Sequence, residues 1–205
     1  MRPNDFDGIA KWYDRLAKLM FGDALIKSQL LFLNELPEEG NLLIIGGGTG
    51  WILKEVVTLR PQLKIDYVEA STKMIALSKA KNESSTEVQF IIGTEADIPE
   101  TIYDAIITNF FLDVFKEGRL KAIMHHLKGK LSKDGVWLCT DFKKTGKWQQ
   151  RFLLKLMHLF FGLVSNLDAN ELIDFEIEFI KLSLSCSKKQ ISYNGMILSA
   201  VYRLT

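Results

Sequence analysis

The chain has 205 residues, enough for one sizeable domain. Lys and Arg total 26 against 25 Asp and Glu, a net charge of +1, which offers neither the basic stripe of a nucleic-acid binder nor an acidic tail. Hydrophobic residues make up 47%, an ordinary globular fraction, and no apolar run is long enough to span a bilayer.

The start, Met1-Arg2-Pro3-Asn4-Asp5, is polar, so no signal peptide is expected. Asn4 to Phe21 reads as an amphipathic helix, with Phe6, Ile9, Tyr13, Leu16 and Met20 roughly on one face. A second helix is predicted from Asp23 to Leu36, carrying Leu25, Leu30, Phe32 and Leu33 inward. Pro37-Glu38-Glu39-Gly40 ends it. Leu42 to Ile45 is a short unbroken apolar run, as in a strand buried on both faces. Glycines follow, and Trp51 to Leu59 reads as a helix. After the break at Arg60-Pro61, strands are predicted over Lys64–Val68, Val88–Ile92, Tyr103–Asn109 and Val136–Thr140. Helices over Ser71–Lys81 and Arg119–Leu131 alternate with them.

The tail breaks the alternation. Lys143-Lys144-Thr145-Gly146-Lys147 is a basic loop, and Trp148 to Val164 is a strongly apolar helix. Asp168, with Glu171 three residues on, is expected to cap a further helix whose stripe is Leu172, Phe175, Phe179 and Leu182. Leu184–Tyr193 and Met196–Arg203 read as two strands joined at Asn194-Gly195. The two cysteines, Cys139 and Cys186, fall in strands without zinc-type spacing. They are expected to be buried free thiols in a reducing, cytoplasmic compartment.

Strands alternating with helices predict an α/β, Rossmann-like doubly wound sheet, mostly parallel, of seven strands with an antiparallel C-terminal hairpin. The whole of 1–205 is expected to form one domain, with cap helices over 4–36 above the site and 148–164 as lid or interface. Ligands in such sheets bind beyond the carboxyl ends of the strands. Gly46–Gly50, Glu69, Thr94-Glu95, Asn109–Asp113 and Asp141 all fall there.

Within that rim, strand, glycine turn and helix form the unit that brings bare backbone N–H groups against a nucleotide-like ligand. A dinucleotide site wants G-x-G-x-x-G, and counted from Gly46 its last small residue would be Trp51. The pattern present is G-x-G-x-G. Glu69 follows about twenty residues on, where an acidic side chain accepts hydrogen bonds from both hydroxyls of a ribose.

The order of motifs resembles class I S-adenosylmethionine (SAM) methyltransferases, most closely the small-molecule group that includes the quinone-biosynthesis enzymes. Phe6-Asp7-Gly8-Ile9-Ala10-Lys11-Trp12-Tyr13-Asp14 resembles that group's F-x-x-I-A-x-x-Y-D. Glu69-Ala70-Ser71-Thr72-Lys73-Met74 resembles its D-x-S-x-x-M. Gly93 to Pro99 resembles G-D-A-x-x-L-P, and Leu131-Ser132-Lys133-Asp134-Gly135 resembles L-K-P-G-G. The resemblance implies SAM as cofactor. Gly46, Gly47, Gly48 and Gly50 would border its methionine end, and Glu69 with Ala70 would hold the ribose. Met74, Thr94 and Glu95 would lie by the adenine, Asn109 and Phe110 on the sulfonium side, and Tyr13 over the top. Two positions depart from the pattern: Ile44 stands where the group has an acidic residue before its first glycine, and Thr94 where it has Asp.

Methyl transfer from a sulfonium is an in-line displacement, so a base is optional but helps with a phenol or quinol acceptor. Asp113, just beyond the fourth strand, is the first candidate and is expected to face the acceptor pocket. His158 in the apolar helix is the second, while His125 and His126 read as structural. No metal-binding cluster is visible. The helix 148–164 has three readings: core or homodimer packing, a lid over an apolar acceptor, and an interfacial helix at a membrane surface, given Lys143, Lys144 and Lys147 before it. The function expected is methyl transfer to a small, apolar or aromatic acceptor at oxygen or carbon. Its rival is a SAM- or nucleoside-binding protein without catalysis, acting as a sensor or partner subunit.

Overall fold

The computed structural model describes Lys18 and residues 21–82, 86–143 and 174–205. The predicted first helix, the apolar helix over 148–164 and the Asp168 cap lie outside the described residues.

In chain order the elements are α1 (Ala24–Leu30), β1 (Glu39–Ile45), α2 (Trp51–Leu59), β2 (Gln62–Glu69), α3 (Thr72–Lys81), β3 (Val88–Ile92), β4 (Tyr103–Asn109), α4 (Glu117–Lys130), β5 (Leu131–Phe142), α5 (Phe175–Lys181), β6 (Leu184–Ser192) and β7 (Ile197–Leu204). They build one seven-stranded sheet in the order β3-β2-β1-β4-β5-β7-β6. The β3-β2-β1-β4-β5 strands pair in parallel, and β7 is antiparallel to both neighbours. The doubly wound sheet with a C-terminal hairpin is therefore as expected, and its chain order reverses between β1 and β4.

Side-chain alternation along the strands builds a core on each face. Leu43, Ile45, Ile106, Trp137 and Cys139 point to one, where Leu120, Ile123, Met124 and Leu127 of α4 meet Phe175 and Phe179 of α5. Leu42, Ile44, Ile107, Val136 and Leu138 point to the other, against Ile52, Leu53, Val56 and Val57 of α2. Leu120, Ile123, Met124 and Leu127 of α4 are all buried, and so is Leu131, which opens β5. Phe179 stacks flat on Tyr202, with ring centroids 3.7 Å apart, and meets Trp137 edge-on at 4.9 Å.

Some local expectations change. The second helix stops at Leu30, and a 3-10 turn, Leu33–Glu35, follows. Its buried residue is Ser28, while Leu30 and Leu31 are exposed. The Ser28 carbonyl accepts hydrogen bonds from the hydroxyls of Ser199 (2.8 Å) and Thr140 (3.4 Å), and that polar anchor sets the helix face. Asp174 caps α5, accepting from Glu176 N at 3.2 Å. The hairpin turn runs through Tyr193, Asn194 and Gly195, all at positive φ, so it is longer than an Asn-Gly pair. Cys139 is buried as expected, but Cys186 is exposed, because β6 is the edge strand and most of its residues face solvent. Among the described residues no helix is long and apolar enough to cross a membrane.

Candidate active site

The glycine turn begins where β1 leaves the sheet. Gly48 takes φ +62°, a left-handed conformation, and a Cβ there would meet only the Met74 sulfur at 4.0 Å. Gly47 is needed for another reason. A Cβ on it would lie 2.3–2.5 Å from the ring of Tyr67, whose hydroxyl donates to Gly48 O at 3.0 Å. Gly47 is thus fixed by packing against β2, whatever it borders.

Glu69 ends β2 and is buried, not a solvated strand-end carboxylate. Its Oε2 accepts from Gly48 N at 3.0 Å and its Oε1 from Ser71 N at 2.9 Å. One side chain therefore ties the glycine turn to the start of α3. Ser71 continues the clamp by accepting from Met74 N at 3.2 Å, the predicted cap. Met74 is buried behind it, and Ala70 lies between the two polar residues.

The rim beyond β3 differs from the expected pattern in detail. Thr94 caps a 3-10 turn, Glu95–Asp97, in a reciprocal capping box: Thr94 Oγ1 accepts from Ala96 N, and Asp97 Oδ2 accepts from Thr94 N at 2.8 Å. Glu95 turns to Arg119, whose Nη2 reaches both carboxylate oxygens at 3.1 and 3.3 Å. The guanidinium also lies over the Phe115 ring, 5.3 Å from its centroid. The two candidate adenine-edge residues are each committed to a local partner.

The other half of the rim is made by β4 and β5. Asn109 pairs with Thr140 across the ladder, and with Ser28, Gln29, Phe32 and Ile107 these two line a narrow cleft beneath α1. The Asn109 Nδ2 is buried and has no hydrogen-bond partner among the described residues. Phe110 takes φ 50°, unusual for a bulky residue, and is held there by its N–H on Thr140 O (2.7 Å) and by its ring against Phe142 (4.9 Å). Phe21 and Tyr193 extend this aromatic patch.

Asp113 lies on the next turn, Leu112–Val114, and near it stands Asp141, which is fully buried on β5. Asp141 is clamped by two backbone donors, Leu112 N to Oδ2 and Phe142 N to Oδ1, each at 2.8 Å. The Asp113 Oδ1 is buried and has no hydrogen-bond partner among the described residues. Burial pushes Asp113 up to about 6, and burial with the neighbouring Asp113 charge pushes Asp141 well above the ordinary carboxylate range.

By strand alternation Asp141 shares the face of Cys139 and Trp137, while Thr140 and Asn109 share that of Leu138 and Ile107. Asp113 consequently does not line the cleft under Asn109. The two were expected on one pocket, but they sit on opposite sides of the sheet rim, because the Leu112 N–H bond to Asp141 draws the turn toward the α4/α5 face. Tyr13 and His158 lie outside the described residues. Asp141 was visible in the sequence only as one polar strand end among five. Its pairing depends on a contact between positions 29 residues apart, Leu112 N to Asp141, which no local pattern encodes.

Residues 16–174 match a family described as "Methyltransferase domain". The chain is 29% identical to malonyl-[acyl-carrier protein] O-methyltransferase 2 of Ilyobacter polytropus over 154 residues, 74% of this chain and 57% of that protein. A 76-residue stretch is 36% identical to the malonyl-[acyl-carrier protein] O-methyltransferase of Halalkalibacterium halodurans, covering 33% of this chain and 27% of that one. The chain thus spans little more than half the length of the first of these relatives, and less of the second. Among solved structures, 1,6-didemethyltoxoflavin-N1-methyltransferase of Burkholderia thailandensis, with S-adenosylhomocysteine bound, superposes with a TM-score of 0.70 at 13% identity over 98% of this chain and 87% of that one. The DhpI–SAH complex gives a TM-score of 0.69 at 16% identity, over 96% and 92%. The family match takes in most of the sheet and its helices, from α1 to β5, and on it this chain belongs to the methyltransferase domain family.

Proposed function

We propose that the protein is a SAM-dependent methyltransferase acting on a small acceptor that brings a hydroxyl group to an apolar rim. The cofactor reading rests on Glu69, Gly48 and Met74. A buried carboxylate at the end of β2 stands against the one glycine of the turn whose front is open, with a buried thioether side chain behind. Those groups suit a ribose and an adenine. The unpartnered Asn109 Nδ2 at the end of β4 is a donor available to the methionine end. When bound, SAM supplies an electrophilic methyl group on a sulfonium.

The acceptor reading rests on two features of the rim, Asp113 on its α4/α5 side and the aromatic patch on the side of Thr140 and Asn109. A hydroxyl must lose a proton as its oxygen is methylated, and Asp113, raised to about 6, is a base matched to neutral pH. Phe110, Phe142, Phe21 and Tyr193 give a small apolar or aromatic acceptor something to pack on. An acceptor that is itself a carboxylate, such as the malonyl group named for the relatives, would meet like charge at an ionised Asp113.

The test is S-adenosylhomocysteine formation from SAM, with a panel of phenols and enols run against malonyl-acyl-carrier protein. Turnover with the hydroxyl compounds is expected. Turnover with the malonyl carrier alone would replace the hydroxyl reading. Tight SAM binding with no turnover on any acceptor would favour a non-catalytic binding protein, the reading that Ile44 and the locally committed Thr94 support.

A further inference from the structure

We infer that Tyr67 is a positioning residue for the cofactor: its hydroxyl sets the Gly48 peptide, and through Gly48 it sets where Glu69 meets a ribose. The inference rests on the SAM reading of Glu69 and deepens it. Tyr67 and Glu69 are two apart on β2, so their side chains leave the same face of the strand. Both grip one residue. The Tyr67 hydroxyl donates to Gly48 O at 3.0 Å, and Glu69 Oε2 accepts from Gly48 N at 3.0 Å. Between them, Val68 O accepts from Gly46 N at 2.9 Å. Three successive residues of β2 thus hold the glycine turn, and the two that hold Gly48 do so with side chains. Gly48 needs such a grip. It stands at φ +62°, and glycine takes positive and negative φ about equally, so sterics alone do not keep it there.

Tyr67 is itself held in place. It is fully buried, and its ring leaves no room for a Cβ on Gly47. On β3 it meets Phe90, with ring centroids 5.4 Å apart, and Lys79 of α3 lies over that Phe90 ring, 5.5 Å from its centroid. The hydroxyl is therefore carried to the turn by side chains packed along the sheet, not by the turn's own residues. Without it, Gly48 O loses its donor on β2. The peptide between Gly48 and Thr49 then either stays with that carbonyl unmet or rotates out, drawing Gly48 N off Glu69 Oε2. A turn that is in place only part of the time binds its ligand more weakly by that fraction. The hydroxyl acts on the ligand only through Gly48 and Glu69.

The experiment is a calorimetric titration of the full chain and of its Tyr67→Phe variant with SAM and with S-adenosylhomocysteine. Phe keeps the ring against Gly47 and Phe90 and removes only the hydroxyl. Both ligands should bind roughly threefold to tenfold more weakly, the fold-change that one hydrogen bond supports. A hydroxyl that serves only the fold would lower the melting temperature and leave the affinity of the folded chain unchanged, and that result would overturn the inference. The Glu69→Ala background gives the sharper reading. There, Tyr67→Phe should weaken binding by less than about twofold, because its route to the ribose is already gone. The same full loss in both backgrounds would show that Tyr67 does not act through Glu69. If Tyr67→Phe does not fold, the unaltered chain decides. Hydrogen exchange at the Gly48 amide, followed by NMR without ligand, should be slow, as for a turn already in place. Fast exchange would mean that the ligand orders the turn and Tyr67 does not. An unaltered chain that binds neither SAM nor S-adenosylhomocysteine would remove the cofactor reading and the inference with it, whereas binding that Tyr67→Phe leaves unchanged removes the inference alone.

Discussion

The two halves of the sheet rim are built on opposite plans. At β1 and β2, one carboxylate faces backbone N–H groups: Glu69 accepts from Gly48 and Ser71. At β4 and β5, a carboxylate stands near a carboxyl: Asp141 is clamped by backbone with Asp113 close to it. The first arrangement suits a polar ligand to be held. The second makes charge costly and suits a proton to be moved. Each acid accepts from two backbone N–H groups, and the difference lies in the second carboxyl that stands near Asp141.

Glu69→Ala should have the largest effect. A carboxylate bridging turn, helix and ribose makes charge-assisted hydrogen bonds, worth about 1.5–3 kcal/mol where each is modest. Calorimetry should show SAM binding weakened by roughly tenfold to a hundredfold, with thermal stability lowered as well, because Gly48 N and Ser71 N lose their acceptor. Unchanged affinity would reduce Glu69 to a structural clamp and erase the contrast with Asp141.

Gly47→Ala comes next, at about 1–3 kcal/mol of stability, since the new methyl overlaps the buried Tyr67 ring. A denaturant titration would read it. A neutral result would mean that Tyr67 yields and that the turn is not held from β2.

The half legible in the sequence is the half made by neighbours along the chain. Glycines after an apolar run, Ser71 before a helix and Glu69 closing a strand are local patterns, and α2, β3 and β4 appear at their predicted bounds for the same reason. The carboxyl pair was not legible, because Asp113 and Asp141 come near each other through the β4–β5 ladder and a turn that folds back on it. Ser28 was missed on the same ground: its buried position is set by hydroxyls from β5 and β7. Leu30, an apolar residue in a helical stripe, is exposed because that anchor rotates the stripe outward.

The carboxyl pair also gives the stability curve a direction. Burial raises the Asp113 pKa to about 6 in the folded state, so on its account the folded chain binds more protons than the unfolded chain between the ordinary carboxylate range and about 6, and Asp141, raised well above that range, acts in the same direction. Their contribution is present in full at the acid end of that window and is lost as pH rises through it. Wild type should lose on the order of 1–3 kcal/mol from this source between about pH 4 and 7, and Asp113→Asn should flatten that slope. Chemical denaturation at several pH values measures it. The same slope in both proteins would place the titrating groups elsewhere.

The smallest effect is expected at the adenine edge, where Glu95 stands next to the Thr94 that departs from the resembled motif. If Glu95 served the adenine in place of the missing Asp, its loss would resemble that of Glu69. In the structure its carboxylate is bound at both oxygens by Arg119, whose guanidinium rests on Phe115. Both side chains are partly exposed, at 23% for Glu95 and 37% for Arg119, so the pair is worth about 0.2–1 kcal/mol. Glu95→Gln should therefore change SAM affinity by less than about threefold and stability by less than about 1 kcal/mol. Raising the salt concentration should shrink even that difference, because the charges reach solvent. A tenfold loss of SAM affinity with stability unchanged would show that Glu95 leaves Arg119 when the ligand arrives. The rim would then hold a second carboxylate of the Glu69 kind, gained by exchanging partners instead of by fixed backbone donors.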